Sequence, residues 1–162
     1  MLVEPDLYPM IVDGILAGAN AGMSNTFTGL ARAAFEEALE YTRQREQGGT
    51  PICEHQLVQD KLFQMFRKVE SARALSRAVS IYNRATMPPA TEYSIAAKVH
   101  CTQIAFDVAS DAIQLMGGYG LSREFHVEKL FRDARASLIE DGTNEVLSLS
   151  AAQLVIDRYK AG

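Results

Sequence analysis

Two adjacent acids near the C-terminal end of the sequence have the residue type and the setting for proton-transfer chemistry. Glu140 and Asp141 stand directly before a Gly-Thr step, in the segment IEDGTNEV, with apolar periodicity on both sides. A carboxylate held in an apolar pocket can act as a general base. The same residues also fit a helix end, because Thr143 could cap a following helix with Glu145 in its first turn. Taken alone, the pattern favours the helix-end interpretation.

The other residues with catalytic or metal-binding potential form no recognised pattern. The three histidines, His55, His100 and His126, are scattered without the spacing of metal ligands. Cys53 and Cys101 are too few for a disulfide framework and lie in helical patterns, so we expect reduced thiols. The sequence contains no P-loop, no CxxC pair and no serine nucleophile elbow. A metal site is therefore not predicted.

The charge balance gives no reason to expect nucleic acid or an anionic membrane as a partner. The 162 residues include 16 Lys and Arg against 20 Asp and Glu, for a net charge of −4. No apolar run approaches the roughly 18 residues of a membrane span, and the N-terminal segment lacks the pattern of a signal peptide. We expect a cytoplasmic protein, or a mitochondrial matrix protein if the source is eukaryotic.

Apolar spacing predicts an all-α fold. In the segment GLARAAFEEALEYTRQR, apolar residues recur every three or four positions, with charges on the other face. No stretch alternates with period two, so strands are not expected. The predicted helices run over about Pro9–Arg45, Cys53–Thr86, Glu92–Met116, Val127–Ile139 and Asn144–Tyr159. Long helices with short connections are typical of an up-down four-helix bundle, here with an additional short helix.

Two glycine-rich segments stand out from this pattern. The first predicted helix contains four glycines from Gly14 to Gly29. Each glycine destabilises a helix by roughly 1 kcal/mol relative to alanine, so these positions indicate close approach of another backbone or of a bound ligand. The segment GGYGLSREF, after the third helix, is predicted to be an irregular loop.

Three segments in order carry a resemblance to a known family. RQREQGGTPICEHQ is followed by AIQLMGGYGLSREFHVEKLFRDAR and then by IEDGTNEV. Together they resemble the C-terminal helical domain of the acyl-CoA dehydrogenases, flavoenzymes that desaturate acyl-CoA thioesters. The resemblance covers about residues 7–160. It implies that residues 9–162 form the helical bundle and that residues 1–8 are a linker from a missing β-domain, so that the chain is a fragment or a separately encoded subunit.

The resemblance implies FAD as cofactor, bound between the β-domain and this bundle, with its adenosine-pyrophosphate end held by the neighbouring subunit. A planar guanidinium at the position of Arg45 can bind a pyrophosphate bidentately. The sequence departs from the family at Gly48, where an aromatic residue is common. The positions that match the family's cofactor-binding residues are Arg45, Gln47, His55, Gln56, Gln114, Gly117, Gly118, Thr143 and Glu145. The alternative for Arg45, Gly117 and Gly118 is a role at helix ends, and both roles can hold together.

The resemblance also changes the interpretation of the acid pair. The family's residue before Gly-Thr is usually Glu and removes the α-proton of the substrate, while hydride leaves the β-carbon for flavin N5. The matching residue is Asp141, with Glu140 as second choice. Aspartate is shorter than glutamate by about 1.5 Å, one C–C bond. Family members with Asp here include dehydrogenases of cyclic acyl-CoAs and the nitroalkane oxidases.

Some family members carry the base on the first helix, just before an Arg. The matching positions are Ala19, which cannot act as a base, and Asn20, which replaces the Arg. By resemblance, Asn20 and Gly142 are assigned to the substrate side of the site. Thr143 and Glu145 match positions near the flavin, although Gln is commoner than Glu at the latter.

The resemblance therefore implies an FAD-dependent acyl-CoA dehydrogenase that takes an acyl-CoA substrate and passes electrons to an electron-transfer flavoprotein. The family forms dimers of dimers through these bundles, so a homodimer or homotetramer is expected. One alternative is a flavin oxidase of the same superfamily, similar to nitroalkane oxidase. Another is a helical oligomerisation module without catalysis, because the isolated chain lacks the β-domain and half of the flavin site.

Overall fold

Five α-helices make up most of the chain, as the sequence predicts. The computed structural model describes residue 4 and residues 7–160. Of the predicted linker, positions 1–3 and 5–6 lie outside the described residues, as do positions 161–162 of the predicted bundle. The helices are α1 (Tyr8–Gln44), α2 (Gln56–Ala85), α3 (Thr91–Met116), α4 (Val127–Ser137) and α5 (Asn144–Lys160).

The first three helices run up, down and up. Near their starts, α1 and α3 are joined by a hydrogen bond from Thr91 Oγ1 to the carbonyl oxygen of Asp13 (3.4 Å). Near their ends, the rings of Tyr41 and Tyr119 are in contact, so the two helices are parallel. The short connections before and after α2 make it antiparallel to both. Pro88 and Pro89 lie in the second of these connections, as expected.

The fourth position of the bundle is shared by two helices. Phe131 of α4 packs on Phe106 of α3, with ring centroids 5.3 Å apart. Further back along α3, Arg158 of α5 forms an ion pair with the buried Glu92. Both helices therefore run antiparallel to α3, one along each half of it. Between them lies a break at residues 138–143, which carries the acid pair.

Small side chains form the contact between α1 and α3. Alanine has almost no side-chain volume beyond its Cβ, so helices that meet through alanines can pack closely. Three residues of each helix in this contact are fully buried: Ala31, Ala34 and Ala38, and Ala105, Ala109 and Ala112. Met65 and Val69 of α2 complete the same core. One apolar face of each of these helices therefore points inward, whereas Phe66 of α2 is 45% exposed.

The absence of strands predicted above is wrong at one place. Glu46–Gln47 and Thr50–Pro51 form a two-residue antiparallel ladder after α1. Gly48 and Gly49 make the turn, with φ of +66° and +87°. Positive φ at both central residues is what a two-residue hairpin of type I′ requires, and glycine supplies it without strain. The pattern was missed because the flanking residues are polar and too few to alternate.

Two further expectations need correction. The segment after α3 is not irregular, since Gly117–Leu121 form a 3₁₀ helix. The glycines of α1 do not face another backbone among the described residues, because a Cβ at Gly14, Gly18, Gly22 or Gly29 would meet none of their atoms within 4 Å outside the helix's own backbone. A bound ligand at these glycines remains a prediction. Within residues 7–160, no helix is both long and apolar enough to cross a membrane.

Candidate active and cofactor sites

The break between α4 and α5 has a left-handed backbone at two consecutive residues. Asp141 has φ of +53° and Gly142 has φ of +101°. The loop is closed by a hydrogen bond from the Asn144 amide to the carbonyl oxygen of Leu138 (3.0 Å). A Cβ at Gly142 would lie 3.2 Å from Leu147 Cδ2, so glycine fits here for space as well as for φ. Aspartate is among the few other residues that tolerate the left-handed region.

The helix-end interpretation of this segment is confirmed at Thr143. The backbone amide of Val146 donates a hydrogen bond to Thr143 Oγ1 (3.3 Å), which is the N-cap arrangement expected at the start of α5. Glu145 lies in the first turn of that helix. Because Thr143 caps α5, Asp141 is not needed as the cap. The break can therefore contain both a helix cap and a catalytic acid.

A buried lysine of α3 is hydrogen-bonded to the break. Lys98 of α3 is fully buried, and its Nζ donates hydrogen bonds to the carbonyl oxygen of Gly142 (2.9 Å) and to Asn144 Oδ1 (2.8 Å). Asn144 also donates to Thr102 Oγ1 (3.0 Å). The sequence analysis did not identify Lys98. One signal was present, because Lys98 directly follows Ala97 in the mostly apolar segment SIAAKV.

Burial lowers the pKa of Lys98 from its usual 10.5, because an ammonium removed from water favours its neutral form. Three carboxylates act in the opposite direction: Asp141, then Glu140, then Glu145. Burial has the larger effect. At the break, the buried Lys98 ammonium is therefore close to three carboxylates, and all three are exposed to solvent.

Asp141 itself is exposed, and so is Glu140. Neither residue lines the most clearly formed clefts among the described residues. Among the described residues, the Asp141 carboxylate therefore has no apolar enclosure.

The cofactor residues predicted at the ends of α1 and α3 converge on one cleft. Its volume is about 580 Å³. Arg45 and Gln47 come from the end of α1 and the hairpin, while Gln114, Gly117 and Gly118 come from the end of α3. Other lining residues were not predicted: Tyr41, Ile52, Leu115, Met116, Tyr119, Ser122 and Glu124. Because Glu124 accompanies Arg45, the cleft wall carries both signs of charge.

Local backbone structure fixes the two ends of this cleft. Arg45 is the C-cap of α1, and its amide donates to the carbonyl oxygen of Tyr41 (2.9 Å). Gly117 is the C-cap of α3, with φ of +59°, and its amide donates to Ile113. The helix-end roles are thus present at both residues, together with their place in the cleft. A Cβ at Gly117 or Gly118 would meet no protein atom within 4 Å.

His55 is hydrogen-bonded to the hairpin at the edge of the cleft. Its Nε2 donates to the carbonyl oxygen of Gln47 (3.1 Å), since a carbonyl can only accept. This bond links the start of α2 to the hairpin. Gln56 is the exposed first residue of α2 and does not line the cleft. The structure therefore gives Gln56 no contact that would identify it as a ligand residue.

The predicted cofactor residues Thr143 and Glu145 lie elsewhere in the bundle. They adjoin the break above Lys98, whereas Gln114 lies at the end of α3. At a rise of about 1.5 Å per residue, Lys98 and Gln114 are about 24 Å apart along the helix. The predicted cofactor residues therefore do not form one site, since five line the cleft while Thr143 and Glu145 adjoin the break.

Asn20 does not have the exposure that a substrate-binding residue requires in this chain. It is fully buried in α1, and its Nδ2 donates to the carbonyl oxygen of Leu16 (2.8 Å). Its Oδ1 is buried with no hydrogen-bond partner among the described residues. The assignment of Asn20 to substrate is thus unsupported by its position. Gly142, the second residue assigned to substrate, is exposed.

The donor set of the cleft fits the phosphate-bearing part of a dinucleotide. Arg45 supplies a guanidinium, Gln47 and Gln114 supply amides, and the glycine backbone leaves open space beside them. The break near Lys98 presents an exposed carboxylate on a defined backbone. Among the described residues, no group of three His, Cys, Asp or Glu side chains could hold a metal ion.

Comparison with known proteins identifies the class that this fold and these sites define. The family model of the acyl-CoA dehydrogenase C-terminal domain matches residues 15–156. The chain belongs to this family and is an acyl-CoA dehydrogenase C-terminal helical domain.

Particular relatives fit the same assignment. The chain is 34% identical to cyclohexane-1-carbonyl-CoA dehydrogenase of Geobacter metallireducens over 79% of its own length and 33% of that protein. It is 37% identical to a short-chain-specific acyl-CoA dehydrogenase of Megasphaera elsdenii, over 81% and 34%. The butyryl-CoA dehydrogenase structure from the latter organism superposes with a TM-score of 0.85 at 33% identity, covering 90% of this chain and 38% of that one. The chain thus spans about a third of the length of these curated relatives.

Proposed function

We propose that this chain is the C-terminal part of an FAD-dependent acyl-CoA dehydrogenase in which Asp141 removes the α-proton of an acyl-CoA thioester. The observation that carries the proposal is the placement of Asp141. Asp141 has a left-handed backbone in the break between α4 and α5. Next to it, Thr143 caps the start of α5 and the buried Lys98 ammonium binds the carbonyl oxygen of Gly142. A base must be held in a fixed position within hydrogen-bond reach of the proton that it abstracts.

The cleft at the ends of α1 and α3 is the proposed FAD contact. Arg45 would pair with the pyrophosphate, Gln114 would donate to it, and Gly118 would allow close approach. When bound, the flavin supplies the acceptor for the hydride that leaves the β-carbon. The chain's own contribution is to hold the cofactor at this cleft and the base at the break.

The separation of the two sites favours a homo-oligomer. The cleft is about 24 Å along α3 from the break, as estimated from the helical rise. We infer that the cleft serves the flavin of a neighbouring subunit, while Thr143 and Glu145 adjoin the flavin that works with Asp141. The apolar residues exposed on α5 agree with association of helical faces. The most exposed of these are Val146, Leu149, Ile156 and Tyr159.

The substrate proposed for this site is a cyclic acyl-CoA. Asp141 stands where the family usually has Glu, so its carboxylate lies closer to the backbone by about 1.5 Å. The proton must therefore come closer or be taken from a different carbon. A relative named cyclohexane-1-carbonyl-CoA dehydrogenase is 34% identical to the chain, which supports a ring substrate. Electrons would leave the enzyme for an electron-transfer flavoprotein.

One alternative is a flavin oxidase, since nitroalkane oxidases also carry Asp at this position. The two activities differ in their reaction with oxygen. Rapid formation of peroxide during turnover, with no other electron acceptor present, would favour the oxidase. Turnover that requires an electron-transfer flavoprotein or an artificial acceptor would favour the dehydrogenase.

The function is tested with two adjacent variants of the complete protein that contains this chain. Asp141→Asn keeps the shape and tolerates the left-handed backbone, so it should retain FAD and fall in kcat by at least about 10²-fold to 10⁴-fold. Glu140→Gln should keep most of the activity. Cyclic, branched and linear acyl-CoAs are compared as substrates. Full turnover by Asp141→Asn would exclude Asp141 as the base, and loss of turnover by Glu140→Gln alone would assign the base to Glu140.

A further inference from the structure

Lys98 is an unusual residue for the centre of a helical bundle. It has the largest side chain among the fully buried residues of the described chain. Lysine is almost never fully buried unless it is paired. Within residues 7–160, no carboxylate lies within 4.0 Å of its ammonium, and the acceptors are the neutral Gly142 carbonyl and Asn144 amide.

The two acceptors lie on either side of Thr143, in the segment that returns the chain from the break to α5. A single ammonium therefore fixes the backbone at Gly142 and the side chain at Asn144. A second layer supports it, because Asn144 donates to Thr102 Oγ1, which in turn donates to the carbonyl oxygen of Lys98 (2.8 Å). Gly142 is itself left-handed, and the left-handed Asp141 directly precedes it.

We propose that Lys98 is a positioning residue for Asp141: its hydrogen bonds to Gly142 and Asn144 hold the break in the one conformation that presents the Asp141 carboxylate to substrate. This proposal rests on the proposed function of Asp141 as the base. Lys98 does not touch the reacting atoms. It acts through the backbone, and its effect is on the geometry of proton abstraction.

A purely structural lysine at this place would behave differently. Replacing a buried ionic group by an apolar residue of similar volume is often neutral or stabilising, because the cost of desolvating the charge disappears. Gly142 is exposed, so water can take over the bond to its carbonyl oxygen. Lys98→Met should therefore leave folding intact. A positioning role predicts loss of turnover in the same variant, because a displacement of about 1 Å in a reacting group can cost about 10²-fold in rate.

The test compares Lys98→Met with Lys61→Met in the complete protein. Lys61 also joins two helices, through its ion pair with Asp111 (2.8 Å), but it lies about 20 Å from the break along the bundle. We measure kcat, KM for the acyl-CoA, bound FAD, thermal midpoint and amide exchange over residues 138–147. For Lys98→Met we expect kcat to fall about 10-fold to 10²-fold, with KM within about threefold. FAD content should be unchanged, and amide exchange in the break should be faster. Lys61→Met should keep kcat.

A second variant covers the case in which Lys98→Met does not fold. Asn144→Ala removes one acceptor and leaves the lysine bonded to Gly142, so its kcat should fall less than that of Lys98→Met, by about threefold to tenfold. Wild-type kcat in a folded Lys98→Met protein would overturn the proposal, as would unchanged exchange in the break. If Lys98→Met does not fold, wild-type kcat in Asn144→Ala overturns it.

Asp141→Asn, assayed in parallel, separates the two proposals. Loss of turnover in Asp141→Asn together with full turnover in Lys98→Met would reject the positioning role alone. Full turnover in Asp141→Asn would reject the proposed base, and the role of Lys98 with it. Loss of turnover in both variants, with faster exchange only in Lys98→Met, is the expected result.

Discussion

The ring of Tyr41 lies 6.1 Å from the ring of Tyr119, which joins the last turn of α1 to the 3₁₀ helix after α3. Tyr119 also meets Phe125 edge-on, with centroids 5.4 Å apart. Both tyrosines line the proposed cofactor cleft. The shape of the cleft therefore depends on the 3₁₀ helix, in which two glycines have opposite surroundings.

Gly118→Ala should weaken FAD binding without destabilising the fold. A Cβ at this position meets no protein atom within 4 Å, and the residue lines the cleft. The added methyl group would therefore occupy space proposed for the cofactor. We expect the Kd for FAD to rise about tenfold, or about 1.4 kcal/mol. Titration of the complete apoprotein with FAD measures this. The free energy of unfolding should change by less than about 0.5 kcal/mol.

Gly120→Ala is the matched contrast. Here a Cβ would lie 2.8 Å from Ile113 Cα and 2.9 Å from Ile113 O, and neither backbone atom can move alone. We expect a loss of about 1–3 kcal/mol in unfolding free energy, as for other overpacked sites. Equal stability of the two alanine variants would contradict this account of the 3₁₀ helix. Normal FAD affinity in Gly118→Ala would show that the cofactor does not contact Gly118.

Arg45→Gln should weaken FAD binding more than Arg45→Lys. Hydrogen bonds to a charged group contribute about 1.5–3 kcal/mol, so loss of the guanidinium should raise the Kd by about 10-fold to 10²-fold. Lysine keeps the charge but cannot bind a pyrophosphate bidentately. The Kd of Arg45→Lys for FAD should therefore lie between those of the wild type and Arg45→Gln. Arg43→Gln is the control, because Arg43 is exposed in the last turn of α1, two residues before Arg45, and pairs with Glu40 (3.8 Å). A similar loss in both glutamine variants would indicate general electrostatic attraction instead.

The sequence predicts most of this architecture because long amphipathic helices leave a strong periodic signal. The bounds of α1 and α3 follow from apolar spacing and from the glycines and prolines that end them. The hairpin at Gly48 and Gly49 was not predicted, since a ladder of two residues has no periodicity to detect. The 3₁₀ helix at Gly117–Leu121 was missed because three glycines in five residues suggest irregular backbone.

The sites were predictable to different degrees. Arg45 is far from Gln114 and Gly118 in sequence, and the fold brings the three residues to one cleft. The contacts of Lys98 were not predicted, because its partners are a backbone carbonyl and a side-chain amide that lie more than 40 residues further along the chain. No sequence pattern encodes a contact of that kind. The base assignment of Asp141 stays a prediction, since Asp141 is exposed in the part of the chain that the structure describes.

The buried ammonium of Lys98 should make stability depend on alkaline pH. Burial lowers the pKa of Lys98 in the folded chain, while the unfolded chain has the usual 10.5. Between these two values the unfolded state binds more protons, so stability rises with pH across that window. Lys98→Met lacks this titration. The difference in unfolding free energy, wild type minus Lys98→Met, should therefore increase from neutral pH towards 10.5, as measured by urea denaturation of both proteins. A difference that stays constant or falls would show that the folded-state pKa is not lowered.

The backbone at residue 141 should be sensitive to side-chain shape independently of its chemistry. Asp141 has φ of +53°, a region that costs a typical residue about 1–2 kcal/mol and that Asn and Gly adopt more readily. We expect Asp141→Asn and Asp141→Gly to match or exceed wild-type stability, and Asp141→Val to lose about 1–2 kcal/mol. Glu140→Val is the control, because among the described residues only Asp141 and four glycines have positive φ. Its unfolding free energy should change by less than about 0.5 kcal/mol. Urea denaturation of the four variants measures the series, and equal losses in the two valine variants would contradict a left-handed residue at the break.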